Sequence, residues 1–292
     1  MSYITKKDWN QEFATKLNNE KECRNELIQI IKIHNILIEL ILLIINDNKR
    51  TLNMLKQKIL YSSMIYYYKY NLFNRISDEG IDNINNIDKI IICSSCIFLS
   101  LKINNINIHT KYISEKILSN FDSKQIKCTT DELNNYINKM EYNILYSIGF
   151  DISIDYPYSF WKPFISYFEK KGIEKKIVEK IMELFNEYVK ASILFPLYLY
   201  YTSYDLAISC ISLAKKAKYD FIDIDDFIKE NKLKMDKNNV NQCSLYISKI
   251  YETIRKKNDK EEKNTYDGND KDNNSETCSK FDAIASIRTN TN

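Results

Sequence analysis

The stretch that decides the fold is Ile90–Ile103, which reads IIICSSCIFLSLKI. A helix over these residues has no polar face, because Lys102 is its only charge and its serines and cysteines are small. A helix that is apolar all round must be enclosed by protein or by lipid. A membrane span needs about 20 consecutive apolar residues, and this run is shorter. We therefore expect the central helix of a bundle, with Lys102 as the one feature that packing does not require.

The enclosed stretch has a counterpart in the second half of the chain. Residues 96–100 (CIFLS) are echoed 114 positions later by residues 210–214 (CISLA). Residues 136–140 (YINKM) are echoed 110 positions later by residues 246–250 (YISKI). Two echoes at nearly equal separation indicate a duplicated helical domain, with a period too long for a solenoid repeat. The sequence thus predicts two units of five helices, each with a buried third helix.

Composition supports an all-α fold and narrows the functional classes. Only 4 Gly and 3 Pro occur in 292 residues, whereas β architectures rich in turns need more of both. The balance of 42 basic and 39 acidic residues gives +3, which provides no strong electrostatic footprint for nucleic acid. Seven cysteines without a compact spacing, and no secretory signal at the N-terminus, predict reduced thiols in the cytosol or nucleus.

The chain divides into four predicted segments. Residues 1–19 form an N-terminal extension with a short helix, 20–154 the first helical domain, 155–257 the second, and 258–292 a disordered tail rich in Lys, Asp, Glu and Asn. Thr129 or Thr130 is expected to cap the fifth helix, with Asp131 in its first turn. Gly149 is expected to end that helix, and an extended linker then joins the two domains.

The residues that usually carry catalysis or bind metals are sparse. His34 and His109 are the only histidines, and a structural role is expected for both. Cys93 and Cys96 have metal-like spacing but lack a second pair, so we interpret them as small core residues. Four scattered glycines cannot form a phosphate loop. We therefore predict that the chain is not an enzyme, and we expect no catalytic residue, no cofactor and no metal.

Several stretches, taken in order, resemble the cyclin family. Residues 66–70 (YYYKY) resemble the aromatic and basic end of the second helix of a cyclin box, and residues 96–102 resemble its third helix with a terminal lysine. Residues 140–145 and 149–152 resemble the fifth helix and its exit, and residues 155–164 resemble the approach to a second box. The second half, from Leu199 onward, is most similar to transcription-type cyclins of the cyclin H class. The resemblance covers Lys21 to Lys257 and implies two tandem cyclin boxes.

The resemblance also implies a function and a set of contact residues. It implies a non-catalytic subunit that binds and activates a cyclin-dependent kinase, within the kinase-activating complex that also serves a general transcription factor. The resemblance further implies a third, assembly-factor subunit and a role in the control of transcription and the cell cycle. It implies a nuclear location, or one shared between nucleus and cytoplasm. It implies no direct contact with nucleic acid or membrane. The kinase-binding residues that it implies are Lys102, Ile103, Glu141, Leu145, Phe150 and Ile152.

Two departures from the family pattern leave alternatives open. Residues 103–105 (INN) stand where cyclins usually have an acidic pair after the lysine, and the loop at residues 74–87 is longer than usual. Transcription cyclins of the C, K, L or T type remain as alternatives. So does a general transcription factor with the same fold, which would bind promoter DNA and show salt-dependent affinity. A helical enzyme is the third alternative.

Overall fold

The computed structural model describes residues 20–45, 50–76, 86–121, 128–219, 223–231 and 236–266. Within these ranges all regular secondary structure is helical, with ten α-helices and two short 3-10 turns. This confirms the predicted all-α class. The expected N-terminal helix at residues 1–19 and most of the tail, from residue 267 on, lie outside the described residues.

The ten helices form two consecutive units of five. The first unit consists of α1 Glu20–Ile44, α2 Arg50–Ile76, α3 Asn86–Ile103, α4 Thr110–Asn120 and α5 Thr130–Ser147. The second unit consists of α6 Trp161–Lys170, α7 Lys175–Ile193, α8 Ser203–Lys218, α9 Ile224–Glu230 and α10 Lys237–Tyr266. The 3-10 turns are Pro157–Phe160, just before α6, and Leu197–Leu199, just before α8. The boundary between domains at residue 154 stays a prediction.

Helix α3 lies at the centre of the first unit, as the sequence predicts. It packs against α1, α2 and α5, and every residue from Ile90 to Leu101 is buried. The hydroxyl of Ser94 donates to the carbonyl of Ile90 in its own helix (2.6 Å). The small side chains therefore allow close approach of neighbouring helices without leaving an unpaired hydroxyl in the core.

Helix α8 occupies the corresponding place in the second unit. It packs against α7 and α10, and its residues 205–211 are buried. Ser95 of α3 donates to the carbonyl of Ile137 in α5 (3.0 Å), and Ser209 of α8 donates to the carbonyl of Val240 in α10 (3.1 Å). The sequence echo thus pairs α3 with α8 and α5 with α10. In both units a serine of the third helix ties it to the fifth.

Two helix ends bear on the predicted boundaries. Thr129 forms a capping box with Glu132 at the start of α5, in agreement with the predicted cap. Helix α10 continues to Tyr266 and so includes residues 258–266 of the segment for which the sequence predicts disorder. The bounds of that segment stay a prediction. That stretch is rich in Lys and Glu, which favour helix once an upstream packed segment has supplied the nucleus. No helix in the described ranges is both long enough and apolar enough to cross a membrane.

Tyrosines join the two units. The Tyr198 hydroxyl, in the second unit, donates to the carbonyl of Ile65 in α2 (2.9 Å). The ring of Tyr61 in α2 packs against Tyr156, with centroids 5.6 Å apart, and Tyr68 packs against Tyr198 at 6.2 Å. Helix α2 is therefore the element of the first unit through which these aromatic contacts to the second are made.

Candidate functional site

An ion pair between the end of α3 and the middle of α5 forms the centre of the candidate site. The Lys102 ammonium lies 2.7 Å from Oε1 and 2.9 Å from Oε2 of Glu141. Glu141 is only 8% exposed, whereas the side chain of Lys102 is 50% exposed. The carboxylate is thus bound inside the protein, and the ammonium keeps one side open to solvent.

The end of α3 holds Lys102 in place. Its ammonium lies 4.0 Å from the centroid of the Phe98 ring, a favourable cation–π distance. Asn105 adopts a left-handed φ of 58°, and the amide of Ile106 donates to the carbonyl of Leu101 (2.9 Å). This is the six-to-one hydrogen bond of a Schellman cap. The cap ends the helix one turn after Phe98 and fixes where the lysine leaves the bundle.

The end of α5 has a similar helix cap, which exposes an aromatic side chain. Gly149 has a φ of 62°, and the amide of Phe150 donates to the carbonyl of Leu145 (2.9 Å), which completes a second Schellman cap. Phe150 is itself left-handed, with a φ of 59°, which is an uncommon conformation for a residue with a side chain. Its ring is 58% exposed. The predicted helix end at Gly149 is therefore correct.

The segment after Phe150 is tied to α2. The Tyr66 hydroxyl donates to the carbonyl of Ile152 (2.9 Å), and Lys69 lies 3.2 Å from the carboxylate of Asp151. The Ser153 hydroxyl donates to the same carboxylate (2.7 Å), and this hydrogen bond together with Lys69 lowers the pKa of Asp151. The backbone is anchored, while the side chain of Ile152 remains 40% exposed.

The structure divides the six predicted contact residues into three pairs. Lys102 and Glu141 are in direct contact with each other. Phe150 and Ile152 are exposed at the exit of α5. The remaining two, Ile103 and Leu145, are half-buried and pack against the core. The exposed set therefore combines one cation with two apolar side chains.

Two exposed tyrosines on α5 were not among the predicted site residues. Tyr142 is 62% exposed and Tyr146 is 54% exposed. Their spacing of four residues places them on one side of α5, next to Glu141 and Leu145. The helical pattern predicts that both tyrosines are exposed, because they lie outside the core stripe of α5. The buried positions of that stripe are Leu133, Ile137, Glu141 and Ile144.

Of the residues considered for other chemistry, Cys93, Cys96 and His34 lie in the core, whereas His109 is exposed at the start of α4. Cys93 and Cys96 are buried, and burial raises the pKa of both thiols. His34 is buried in α1, and burial together with the nearby Lys190 lowers its pKa to about 4. No group of three or more His, Cys, Asp or Glu residues in the described ranges is arranged to hold a metal ion.

Comparison with known proteins identifies a shared fold. No family profile and no curated protein matches the chain. Among solved structures, a chain of the yeast TFIIK (Kin28/Ccl1/Tfb3) complex, determined by cryo-electron microscopy, matches with a TM-score of 0.54 and 16% identity. The match covers 85% of this chain and 96% of that chain. Both helical units thus belong to one known fold, which confirms the predicted architecture.

Proposed function

We propose that the chain is a cyclin of the cyclin H class, a non-catalytic subunit that binds and activates a cyclin-dependent kinase. The observation that carries the proposal is the Lys102–Glu141 pair, whose lysine is half-exposed, together with the apolar side chains exposed at the exit of α5. It occurs on a fold shared with a chain of a complex that contains Kin28, Ccl1 and Tfb3. We call Lys102, Phe150 and Ile152 the docking rim.

Lys102 and Glu141 have different roles in this proposal. Both oxygens of Glu141 already accept from Lys102, and the glutamate side chain is 11% exposed. Glu141 is therefore a positioning residue, which fixes the ammonium instead of contacting the kinase. The ammonium has three donors, and those not used by Glu141 are available to main-chain carbonyls or a carboxylate of the kinase.

Phe150 and Ile152 supply the apolar part of the rim, and Ile103 and Leu145 support it from the half-buried layer beneath. An active kinase requires that the glutamate of its mobile C-helix reach the lysine of the ATP site. A subunit that binds the active arrangement more tightly shifts the population toward it. A shift from 1:99 to 99:1 takes about 5.5 kcal/mol of differential affinity, which a few buried hot-spot residues can provide.

The partners follow from the same comparison. The TFIIK neighbour is one chain of a three-component complex, which supports a kinase and a third, assembly-factor subunit for this chain as well. The proposal includes a role in transcription and in the cell cycle, and it includes a nuclear location. We expect the transcription-type kinase to be preferred over other cyclin-dependent kinases. The C, K, L and T types are distinguished from cyclin H by which kinase binds.

The test combines kinase activation with thermal melting. The probes are the cyclin-dependent kinases encoded by the same genome, each expressed and purified separately. We expect Lys102→Ala/Glu141→Ala to reduce activation at least about 10-fold, because the rim loses its cation while no buried charge is orphaned.

The control variant is Lys111→Ala/Asp131→Ala, which removes an exposed ion pair (3.7 Å) between α4 and α5 in the same unit. We expect full activation from this control. Unchanged activation by a folded Lys102→Ala/Glu141→Ala variant, or no activation of any kinase by the wild-type chain, would refute the proposal.

A further inference from the structure

The exposed large apolar side chains of the described ranges concentrate at the end of α5. Tyr142, Tyr146, Phe150 and Ile152 fall within eleven consecutive residues and are 40–62% exposed. Phe150 and Ile152 belong to the docking rim, but the two tyrosines lie up to two turns earlier along the helix. We call Tyr142 and Tyr146 the tyrosine face.

The tyrosine face carries no negative charge. The other exposed positions around it are Asn138, Lys139 and Asn143. Of the two acids nearby in the chain, Glu141 is buried and paired with Lys102, and Asp151 is paired with Lys69. Tyrosine is enriched at the hot spots of protein interfaces, and asparagine supplies adaptable hydrogen bonds around it. A partner surface that fits this face has apolar side chains flanked by neutral or acidic groups.

The docking rim itself offers little basis for discrimination between related kinases. The Lys102 ammonium can donate to any carbonyl or carboxylate, and every kinase has such groups. Asn104 carries no charge, and its side-chain amide donates to the carbonyl of Ser100 (2.8 Å). Asn105 is the left-handed residue of the α3 cap and carries no charge. The end of α3 therefore holds one cation and no further charge.

An aromatic ring can discriminate between partner kinases in a way that an ammonium group cannot. A tyrosine that packs into an interface needs a complementary apolar surface, and it is opposed by an unpaired charge or a bulky polar group at that place. Tyr142 and Tyr146 each expose more than half of their surface, and they precede Phe150 by one to two helical turns in the chain. They are the largest exposed side chains next to it.

We propose that Tyr142 and Tyr146 are specificity-determining residues, which select among cyclin-dependent kinases by packing against an apolar segment of the preferred kinase. This inference rests on the proposed function, because it extends the docking rim along α5. In this arrangement the rim contributes affinity for kinases in general. The tyrosine face contributes the difference in affinity between the preferred kinase and the others.

The experiment measures dissociation constants for the same panel of separately purified kinases. The test variant is Tyr142→Ser/Tyr146→Ser, which keeps a hydroxyl and removes both rings. The matched control is Tyr136→Ser, since Tyr136 is 51% exposed on the same helix but lies outside the tyrosine face. Thermal melting and sedimentation of each variant verify its fold and oligomeric state.

We expect the test variant to lose at least about 10-fold in affinity for the preferred kinase. Its affinity for the other kinases should change less than about 3-fold, and the control should bind every kinase within about 2-fold of the wild type. A folded test variant that binds the preferred kinase normally, or that loses affinity for all kinases in parallel, overturns the inference and leaves the proposed function standing.

Two further outcomes also decide the matter. A wild-type dimer that the test variant converts to monomer would show that a second copy of the chain occupies the tyrosine face, and would overturn the inference. A wild-type chain that binds none of the kinases would refute the proposed function, and the specificity role would fall with it.

Discussion

At the scale of single residues, the two members of the ion pair at the candidate site differ in burial. This difference predicts how the loss of the lysine affects the stability of the fold. Glu141 is buried and its only ionic partner in the described residues is the half-exposed Lys102. Lys102→Ala alone should lower the free energy of unfolding by about 1–2 kcal/mol, because it leaves a buried carboxylate unpaired while water partly replaces the exposed ammonium. Urea unfolding measures this change.

A double-mutant cycle separates that cost from the loss of side-chain packing. In Lys102→Ala/Glu141→Gln no charge is left to bury, so the double variant should be destabilised by less than the sum of the two single variants. Strict additivity would show that Glu141 does not depend on Lys102 in solution, and would contradict the geometry seen at 2.7 Å.

A second prediction at this scale concerns His34 and pH. Burial, and then Lys190, lowers its pKa in the folded state from 6.5 to about 4. Between these values the unfolded chain binds a proton that the folded chain does not, so stability falls as the pH drops from about 6.5 to about 4. The loss contributed by this residue is about 3 kcal/mol, and it is complete below pH 4.

Melting temperatures at a series of pH values test this prediction. His34→Leu should reduce the pH dependence, because it removes the buried imidazole, whose Nδ1 has no hydrogen-bond partner in the described residues. His109→Gln is the control, since it removes the other histidine of the chain, which is exposed at the start of α4. Equal slopes for wild type and His34→Leu would contradict the prediction.

At the scale of helices, the site depends on how α5 ends. Gly149 and Gly172 both have left-handed φ angles, 62° and 71°, and a Cβ added to either would meet no atom within 4 Å. Alanine at either position should therefore cost about 1 kcal/mol through backbone strain alone. Gly149→Ala should in addition weaken kinase binding, because Phe150 follows it directly. Gly172→Ala should not.

The two alanine variants form a matched pair. Their melting temperatures should fall by similar amounts, while only Gly149→Ala should raise the dissociation constant for the kinase. If both variants, or neither, changed kinase binding at equal stability, the backbone geometry after Gly149 would have no part in docking.

Some features of these helices could be predicted from the sequence, and others could not. The enclosed helix was predictable because a run with one charge in fourteen positions has no face for water. The end of α5 was predictable because glycine tolerates the left-handed turn of a helix cap. The Lys102–Glu141 pair was not predictable from spacing, since 39 positions separate its members and only packing brings α3 and α5 together. The resemblance, and not the pattern, pointed to it.

Other features were missed for physical reasons. The helical pattern places Tyr142 and Tyr146 outside the core stripe of α5, but only the packing of the described residues shows that both remain exposed. The left-handed Phe150 is imposed by its surroundings and not by its own preference. The last residues of α10 have a polar composition that predicts disorder when considered alone, yet they continue a helix already nucleated by packing on α7 and α8.

At the scale of the whole molecule, the two units behave as one body if their tyrosine contacts are strong. Tyr198 both donates to the carbonyl of Ile65 and packs against Tyr68, so it joins α2 to the second unit by a hydrogen bond and by its ring. Inter-domain contacts of this apolar kind favour joint unfolding. We therefore expect the wild-type chain to melt in a single cooperative transition, with equal calorimetric and van't Hoff enthalpies.

Tyr198→Ala tests that coupling against a control of the same chemistry. Tyr167 also donates to a main-chain carbonyl, that of Asp223 (2.7 Å), but within the second unit. Each variant should cost about 3 kcal/mol. Only Tyr198→Ala should separate the two units into distinct transitions, so that the van't Hoff enthalpy falls below the total calorimetric enthalpy.

The docking rim belongs to the first unit, because the Tyr66 hydroxyl of α2 donates to the carbonyl of Ile152. Kinase binding by Tyr198→Ala should therefore be lost only in the transition that unfolds the first unit, because the contacts that hold Ile152 on α2 lie within that unit. Tyr167→Ala should bind normally up to its single, lower melting temperature. A single transition in both variants would mean that the units are coupled through contacts other than these tyrosines.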